Sequence, residues 1–253
     1  MFEINNNQEG SSFEKEFNLK RSIDDRDSFC CEYADRVKKE IEESAKQDKC
    51  FDFFMKSAPK DLSGKKIIDI GCGEGRWSRF FSQRGSVVLG IDKKDQILEV
   101  AREKSKNFKN INFVNLPFEK IEEEPIGRFD YIINSYVLHN FNNLDQFFST
   151  ANHLLKMNGK LLLISILFHF SDKKLEDSIK NFYIPIKNQH GEIFYAMAND
   201  FSNLKKLAEN YKFKLNDFCS NKNTGLSLSQ KLIDAGLSVE NVALIFEKKE
   251  DSV

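Results

Sequence analysis

The stretch Ile67-Ile68-Asp69-Ile70-Gly71-Cys72-Gly73-Glu74-Gly75 decides the fold of this chain. A short apolar run ends in an acid and then in glycines at alternate positions. Downstream, Val87-Val88-Leu89-Gly90-Ile91 forms a second apolar run, closed by Asp92. A strand, a glycine turn, a helix and a second strand with an acid at its tip make one nucleoside-binding half of an open sheet. The alternation continues. Strands are expected near 66–70, 87–91, 111–114, 129–134 and 160–167, with helices at about 75–84, 94–106 and 144–156. Short β-branched runs alternating with helical segments predict the α/β class, a Rossmann-like and mostly parallel sheet with helices on both faces. Asn158-Gly159 supplies the turn before the fifth strand.

The glycine spacing selects the nucleoside. Dinucleotide folds use G-x-G-x-x-G, with a helix N-terminus facing the pyrophosphate. Counting from Gly71, the third glycine position is Arg76. The glycines stand instead at 71, 73 and 75, and Asp69 precedes them. A carboxylate beside the turn repels a pyrophosphate and suits an ammonium group. S-adenosylmethionine has no phosphate but carries an amino-acid tail, a sulfonium and a ribose, so two acids placed for an ammonium and a ribose diol fit it better than NAD.

Further motifs follow in order: Gly90-Ile91-Asp92, Gly127-Arg128-Phe129-Asp130-Tyr131-Ile132-Ile133-Asn134, Tyr136-Val137-Leu138-His139 and Leu154-Leu155-Lys156-Met157-Asn158-Gly159-Lys160. Together with the glycine stretch they resemble the class I S-adenosylmethionine-dependent methyltransferases over roughly residues 64–168. The resemblance implies a seven-stranded sheet finished by a helix and an antiparallel hairpin, with S-adenosylmethionine as cofactor. Lys212–Phe218 and Val242–Lys248 read as the two final strands, separated by a segment, 220–240, that is long for a hairpin. Residues 171–182, 200–210 and 227–235 read as helical, whereas 183–197 mixes aromatics with Pro185 and Gly191.

Ligands of open α/β sheets bind at the carboxyl ends of the strands. The cofactor candidates there are Asp69 for the ammonium, Gly71 and Gly73 for close backbone approach, and Asp92, followed by Lys93, for the ribose hydroxyls. Cys72 in the turn reads as a small buried residue rather than a nucleophile. By resemblance, an acid after the third strand receives the adenine amino group. Here that position is Pro117, so the acid is missing, and Phe118 is left to pack on the adenine or to serve as core. The resemblance also brings the backbone of Asn134, Ser135 and Tyr136 to the methionine tail.

The side chains narrow the reaction. Enzymes that methylate exocyclic amines carry an Asn/Asp-Pro-Pro-Tyr/Phe loop after the fourth strand, whereas Asn134-Ser135-Tyr136-Val137 has no proline. Metal-assisted enzymes want an Asp there and an Asp-Asn pair after the fifth strand, where this chain has Phe168-His169-Phe170, so no metal is expected. What remains is O-methylation of a small metabolite or a glycan precursor, with a resemblance in overall character to capsule phosphoramidate methyltransferases. Methyl transfer needs an aligned nucleophile and, for a hydroxyl acceptor, a base. His139, just past the fourth strand, is the first candidate as base or anion binder; the alternative is a helix-start histidine satisfied by backbone. Tyr136, His169, Tyr183, His190 and Tyr195 are weaker candidates on the acceptor side. Trp77 reads as core.

The chain has 253 residues, enough for one large domain with an appendage. The net charge of −1 with interleaved lysines and acids gives no field for nucleic acid or anionic membrane, which counts against an RNA methyltransferase. The five cysteines form no C-x-x-C pair, which fits a reducing cytosol and a cytoplasmic protein. No apolar run reaches the ~20 residues that span a bilayer, and the N-terminus does not read as a signal peptide. Residues 1–24 are polar and expected to be partly disordered. Residues 25–63 read as a helical segment, either packed on the main domain or forming a lid with Tyr33 and Arg36 toward the substrate. Residues 64–253 then form the methyltransferase domain, with acceptor-side insertions at about 168–199 and 220–240. The rivals are a non-catalytic S-adenosylmethionine-binding module and an NAD-linked oxidoreductase.

Overall fold

In the computed structural model, residues 15–16, 18–20, 49–179, 182–187, 193–222 and 226–250 are described. Tyr33, Arg36, His190 and residues 25–48 of the expected helical segment 25–63 lie outside them. The helix α1 (Lys49–Ser57) leads into β1 (Lys66–Ile70), α2 (Arg76–Ser82), β2 (Val87–Asp92), α3 (Asp95–Lys104), β3 (Ile111–Asn115), β4 (Phe129–Ser135), α4 (Leu144–Leu154) and β5 (Leu155–Phe170). Then come α5 (Lys173–Ile179), β6 (Tyr183–Lys187), β7 (Ile193–Met197), α6 (Phe201–Asn210), β8 (Phe213–Asn221), α7 (Gln230–Asp234) and β9 (Leu237–Lys248). Short 3₁₀ turns occupy Phe118–Glu123 and Leu138–Asn140.

The main sheet has seven strands in the order β3-β2-β1-β4-β5-β9-β8. The pairs from β3 to β5 are parallel, and β9 runs antiparallel to both β5 and β8. The fold is thus the Rossmann-like α/β architecture expected from the alternation, and β1 lies centrally where the strand order reverses. Both faces of each central strand are apolar because helices cover both. On one face Ile67, Val88, Ile133, Leu162 and Ala243 meet α1 and α2. On the other, Ile68, Ile132, Leu161, Leu163, Leu244 and Phe246 meet α4 and α6.

The described end of the N-terminal helical segment, α1, belongs to the core. Phe51 and Phe54 lie with ring centroids 4.5 and 4.6 Å from Trp77, which is 6% exposed, so the indole is core as its position on α2 suggested. Cys50 Sγ donates to the Asn241 carbonyl at 3.3 Å, tying α1 to β9. Phe54→Leu keeps most of the buried volume but loses the edge-on contact with Trp77. Thermal unfolding should show a loss of about 1 kcal/mol, and an unchanged midpoint would remove α1 from the folded core.

Two features depart from the expected element map. β5 begins at Leu155 rather than near 160. Asn158 (φ +59°) and its neighbours are taken up in a bulge, so that Phe129 pairs with Leu155 and Tyr131 with Lys160. β5 also outlasts β4: the last β4 pair is Ser135 with Ile164, while β5 continues to Phe170 against Leu237 of β9. Six further residues project the β5–β9 ribbon about 20 Å past the β4 tip. The second departure is the two-stranded hairpin of β6 and β7, which covers one face of that ribbon. Its period-2 alternation turns Ile184, Ile186, Phe194 and Ala196 onto Ile166 and Phe168, and gathers Tyr183, Tyr195 and Met197 on the other face.

Candidate functional site

The glycine turn is a left-handed backbone. Gly71, Gly73 and Gly75 have φ of +70°, +53° and +78°, values that side chains resist. The amides of Gly71 and Cys72 both donate to the Ile91 carbonyl at 2.9 Å, which draws the turn over the end of β2. The three glycines have different reasons to lack a side chain. At Gly71 a Cβ would meet Val137 Cγ2 at 2.5 Å, and at Gly75 it would meet Phe113 Cζ at 2.6 Å. At Gly73 the nearest atom is Ile97 Cδ1 at 3.6 Å, an ordinary contact, so the neighbours there do not exclude a side chain as they do at Gly71 and Gly75. Cys72 is buried, and burial pushes its thiol well above the usual range, which suits a packing role and not a nucleophile.

Two carboxylates flank the turn. Asp69 is 2% exposed and accepts a hydrogen bond from the Ser78 hydroxyl of α2 at 2.7 Å. Burial raises its pKa to about 7, the Ser78 bonds oppose the rise, and the field of Asp92 adds to it. Asp92 is half-buried, and its oxygens accept from Gly73 N–H and Lys94 N–H, both at 3.0 Å. The ribose expectation for Asp92 omitted this second task of holding the turn. A carboxylate offers about four lone-pair sites, so two backbone bonds leave acceptor capacity for a diol. Lys93 is exposed beside it.

At the carboxyl end of β4, Asn134 is fully buried. Its Nδ2 donates to the Ile70 carbonyl at 3.2 Å, and its Oδ1 has no partner among the described residues. Ser135 and Tyr136 follow, half-buried, and Tyr136 has φ +56°, unusual for a non-glycine residue. Val137 then packs on Gly71. His139 is 2% exposed, and neither ring nitrogen has a partner among the described residues. Burial alone lowers its pKa to about 4, so the ring is neutral near pH 7.

The remaining candidates scatter. Pro117 starts the 3₁₀ turn after β3, and the buried Phe118 ring lies 4.7 Å from Phe141 and 5.5 Å from Phe147, inside the α4-side core. Tyr183 donates through its hydroxyl to Asn142 Oδ1 and lies 3.4 Å from the Asn140 carbonyl; burial pushes its pKa to about 12. The Tyr195 hydroxyl accepts from Asn18 Nδ2 at 3.1 Å, with the Lys20 ammonium over its ring. His169 stands apart on the projecting ribbon, its Nε2 2.5 Å from the buried Glu240 carboxylate. It lines a cleft of about 550 Å³ between β5, β8, β9 and the starts of α5 and α6. That cleft is separated from β1 by β4 and β5, and two of its acids, Asp172 and Asp200, hold the amides of Leu175 and of Ser202 and Asn203. The structure thus brings Asp69, Gly71, Gly73, Asp92, Asn134 and His139 to one end of the parallel strands and leaves His169 out.

A model for the methyltransferase domain matches residues 61–234. The chain belongs to this methyltransferase-domain family. It is 34% identical over 113 residues to an uncharacterized protein of Haemophilus influenzae, covering 43% of this chain and 44% of that protein. It is 32% identical over 116 residues to the ubiquinone biosynthesis O-methyltransferase of Pelagibacter ubique, covering 46% of this chain and 48% of that protein. The chain spans just under half the length of these relatives. In three dimensions it resembles the S-adenosylmethionine-dependent methyltransferase of Mesorhizobium loti, with TM-score 0.56 and 14% identity over 80% of this chain and 99% of that one. S-adenosylmethionine is the cofactor of this class I methyltransferase domain. The residues at the strand ends fit it: a left-handed turn uncrowded at Gly73, a buried acid for an ammonium, an acid with spare acceptor sites, and Asn134 Oδ1, unpartnered among the described residues.

Proposed function

We propose that this methyltransferase domain transfers the S-adenosylmethionine methyl group to an oxygen of a small-molecule acceptor. The observation that carries the reading is the pair Asp69 and Asp92 on either side of a left-handed turn whose middle glycine, Gly73, has only Ile97 Cδ1 near the place a side chain would begin. In this reading Asp69, directly or through a water, takes the methionine ammonium. Asp92 takes the ribose hydroxyls while holding Gly73 and Lys94, and Asn134 Oδ1 accepts from the tail. The bound cofactor supplies a carbon already activated by its sulfonium. The protein aligns the acceptor and receives its proton, with His139 as first candidate. The segments 168–199 and 220–240 are read as the acceptor side of the domain. A glycan or phosphoramidate acceptor is the narrower form of this reading. It has little support at His139, where no charged group among the described residues contributes to the proton affinity of the ring.

Calorimetry with S-adenosylhomocysteine tests the proposal on the intact protein. Asp92→Asn should weaken binding by about 10- to 100-fold, the worth of one or two hydrogen bonds to a charged acceptor. Binding of NAD in its place, or of neither nucleoside, would sink the reading. Binding without methyl transfer to any oxygen acceptor would favour the non-catalytic module.

A further inference from the structure

Resting on that reading, we propose that the group methylated is a neutral hydroxyl on an apolar body, held between the 136–142 loop and the β6–β7 hairpin with its oxygen against His139. The first observation is a local hydrogen-bond deficit. Both His139 nitrogens and the neighbouring Asn140 Oδ1 are buried without partners among the described residues. A buried polar group left unpaired costs about 1–3 kcal/mol, and here two adjacent residues carry the cost. A hydroxyl, which can donate or accept, pairs the nitrogen that faces it on a neutral imidazole in either tautomer.

The second observation is the loop itself. Tyr136 is held at φ +56°, and Val137 is packed into the space above Gly71. Strained non-glycine backbone of this kind persists where surrounding packing fixes it, and it clusters at binding sites. The loop therefore ties the position of His139 to the cofactor turn. The third is the character of the walls. Leu138 is buried, the Phe194 ring of β7 lies with its centroid 6.3 Å from that of His139, and Tyr183 spends its hydroxyl on the loop. Among the described residues no charged group acts on the His139 ring, where burial is the influence, and the ammonium of Lys20, whose backbone bridges Tyr183, is placed over the Tyr195 ring. A phosphoryl or carboxylate anion placed there would be desolvated without a counter-charge, at a cost of several kcal/mol. A phenol or similar hydroxyl would not be.

The chemistry balances. An oxygen lone pair forms the new bond to the methyl carbon as the carbon–sulfur pair withdraws onto sulfur, leaving a neutral thioether. The hydroxyl proton passes to the imidazole nitrogen facing it, and the ring gives it up to water once the methylated product has left. The ring needs no prior deprotonation, because burial already holds it neutral.

The test uses the full chain saturated with S-adenosylhomocysteine and two probes of similar size, methyl 3,4-dihydroxybenzoate and phenyl phosphate. Calorimetry should show the neutral phenol binding at least about tenfold more tightly, and its uptake should move the His139 ring resonances in NMR. His139→Gln should weaken the phenol by about tenfold, one hydrogen bond of its kind, and leave S-adenosylhomocysteine affinity unchanged. Tighter binding of phenyl phosphate, no heat from either probe, or an unmoved His139 resonance would overturn the proposal. Because the cofactor product is already bound in each measurement, such a failure is distinct from failure of the methyltransferase reading.

Discussion

Asp69→Asn is expected to make the cofactor-free protein more stable at pH 8 and, at the same time, a poorer binder of S-adenosylhomocysteine. Burial lifts the Asp69 carboxyl to about 7 in the folded chain, whereas in the unfolded chain it ionises near ~3.9. Between those values the folded state keeps a proton that the unfolded state has lost. Stability therefore falls as pH rises from about 4 to about 7 and is level above, by a total on the order of 4 kcal/mol. Asparagine keeps the Ser78 contact and removes the ionisation, so the two proteins should match near pH 4 and diverge toward pH 8. Urea unfolding at several pH values measures this, and parallel profiles would show that Asp69 ionises normally in the fold. The ammonium of the cofactor pays back part of that cost by favouring the carboxylate. Binding near pH 6 should then release a proton, visible as a buffer-dependent heat, and the asparagine variant should lose both the proton release and about tenfold or more in affinity.

Gly71→Ala is expected to lose about 3 kcal/mol of stability and to bind S-adenosylhomocysteine below detection. Two costs combine: a left-handed residue without glycine's freedom, about 1–2 kcal/mol, and a methyl driven into a packed side chain, about 1–3 kcal/mol. The methyl would lie 2.5 Å from Val137 Cγ2. Adding Val137→Ala should recover the steric share and leave the backbone share, a coupling that a double-mutant cycle resolves. Gly73→Ala is the contrast. Its φ is +53° but its Cβ would meet only Ile97 Cδ1, at an ordinary 3.6 Å, so it should lose only about 1 kcal/mol of stability yet still impair cofactor binding. Equal stability losses at the two glycines would mean that Val137 yields freely and that the loop does not govern the turn.

The legible parts of the molecule are those where a local pattern has one physical solution. The run Ile67–Ile70, the three alternate glycines and Asp92 require a strand, a left-handed turn and a strand tip, and these occur at the expected residues. The β6–β7 hairpin was less readable. Tyr183–Lys187 and Ile193–Met197 do alternate, but Pro185 inside the first run weakens a strand reading. It is tolerated because this strand belongs to a two-stranded sheet, with an edge to spare. The early start of β5 was hidden by Asn158-Gly159, which ordinarily signals a turn and here makes a bulge within a strand.

Side-chain roles divide along the same line. Residue type and spacing sufficed to nominate Asp69, Asp92 and the glycines, because strand ends and turns are set by neighbours a few positions away. Whether His139 is solvated or sealed depends on Phe194, which stands far along the chain and reaches it only because the ribbon β5–β9 projects past β4 and carries the hairpin back over the loop. Local periodicity contains the fold and the cofactor turn; the proton affinity of the His139 imidazole arises from burial by distant segments, and burial exists only once the chain has closed on itself.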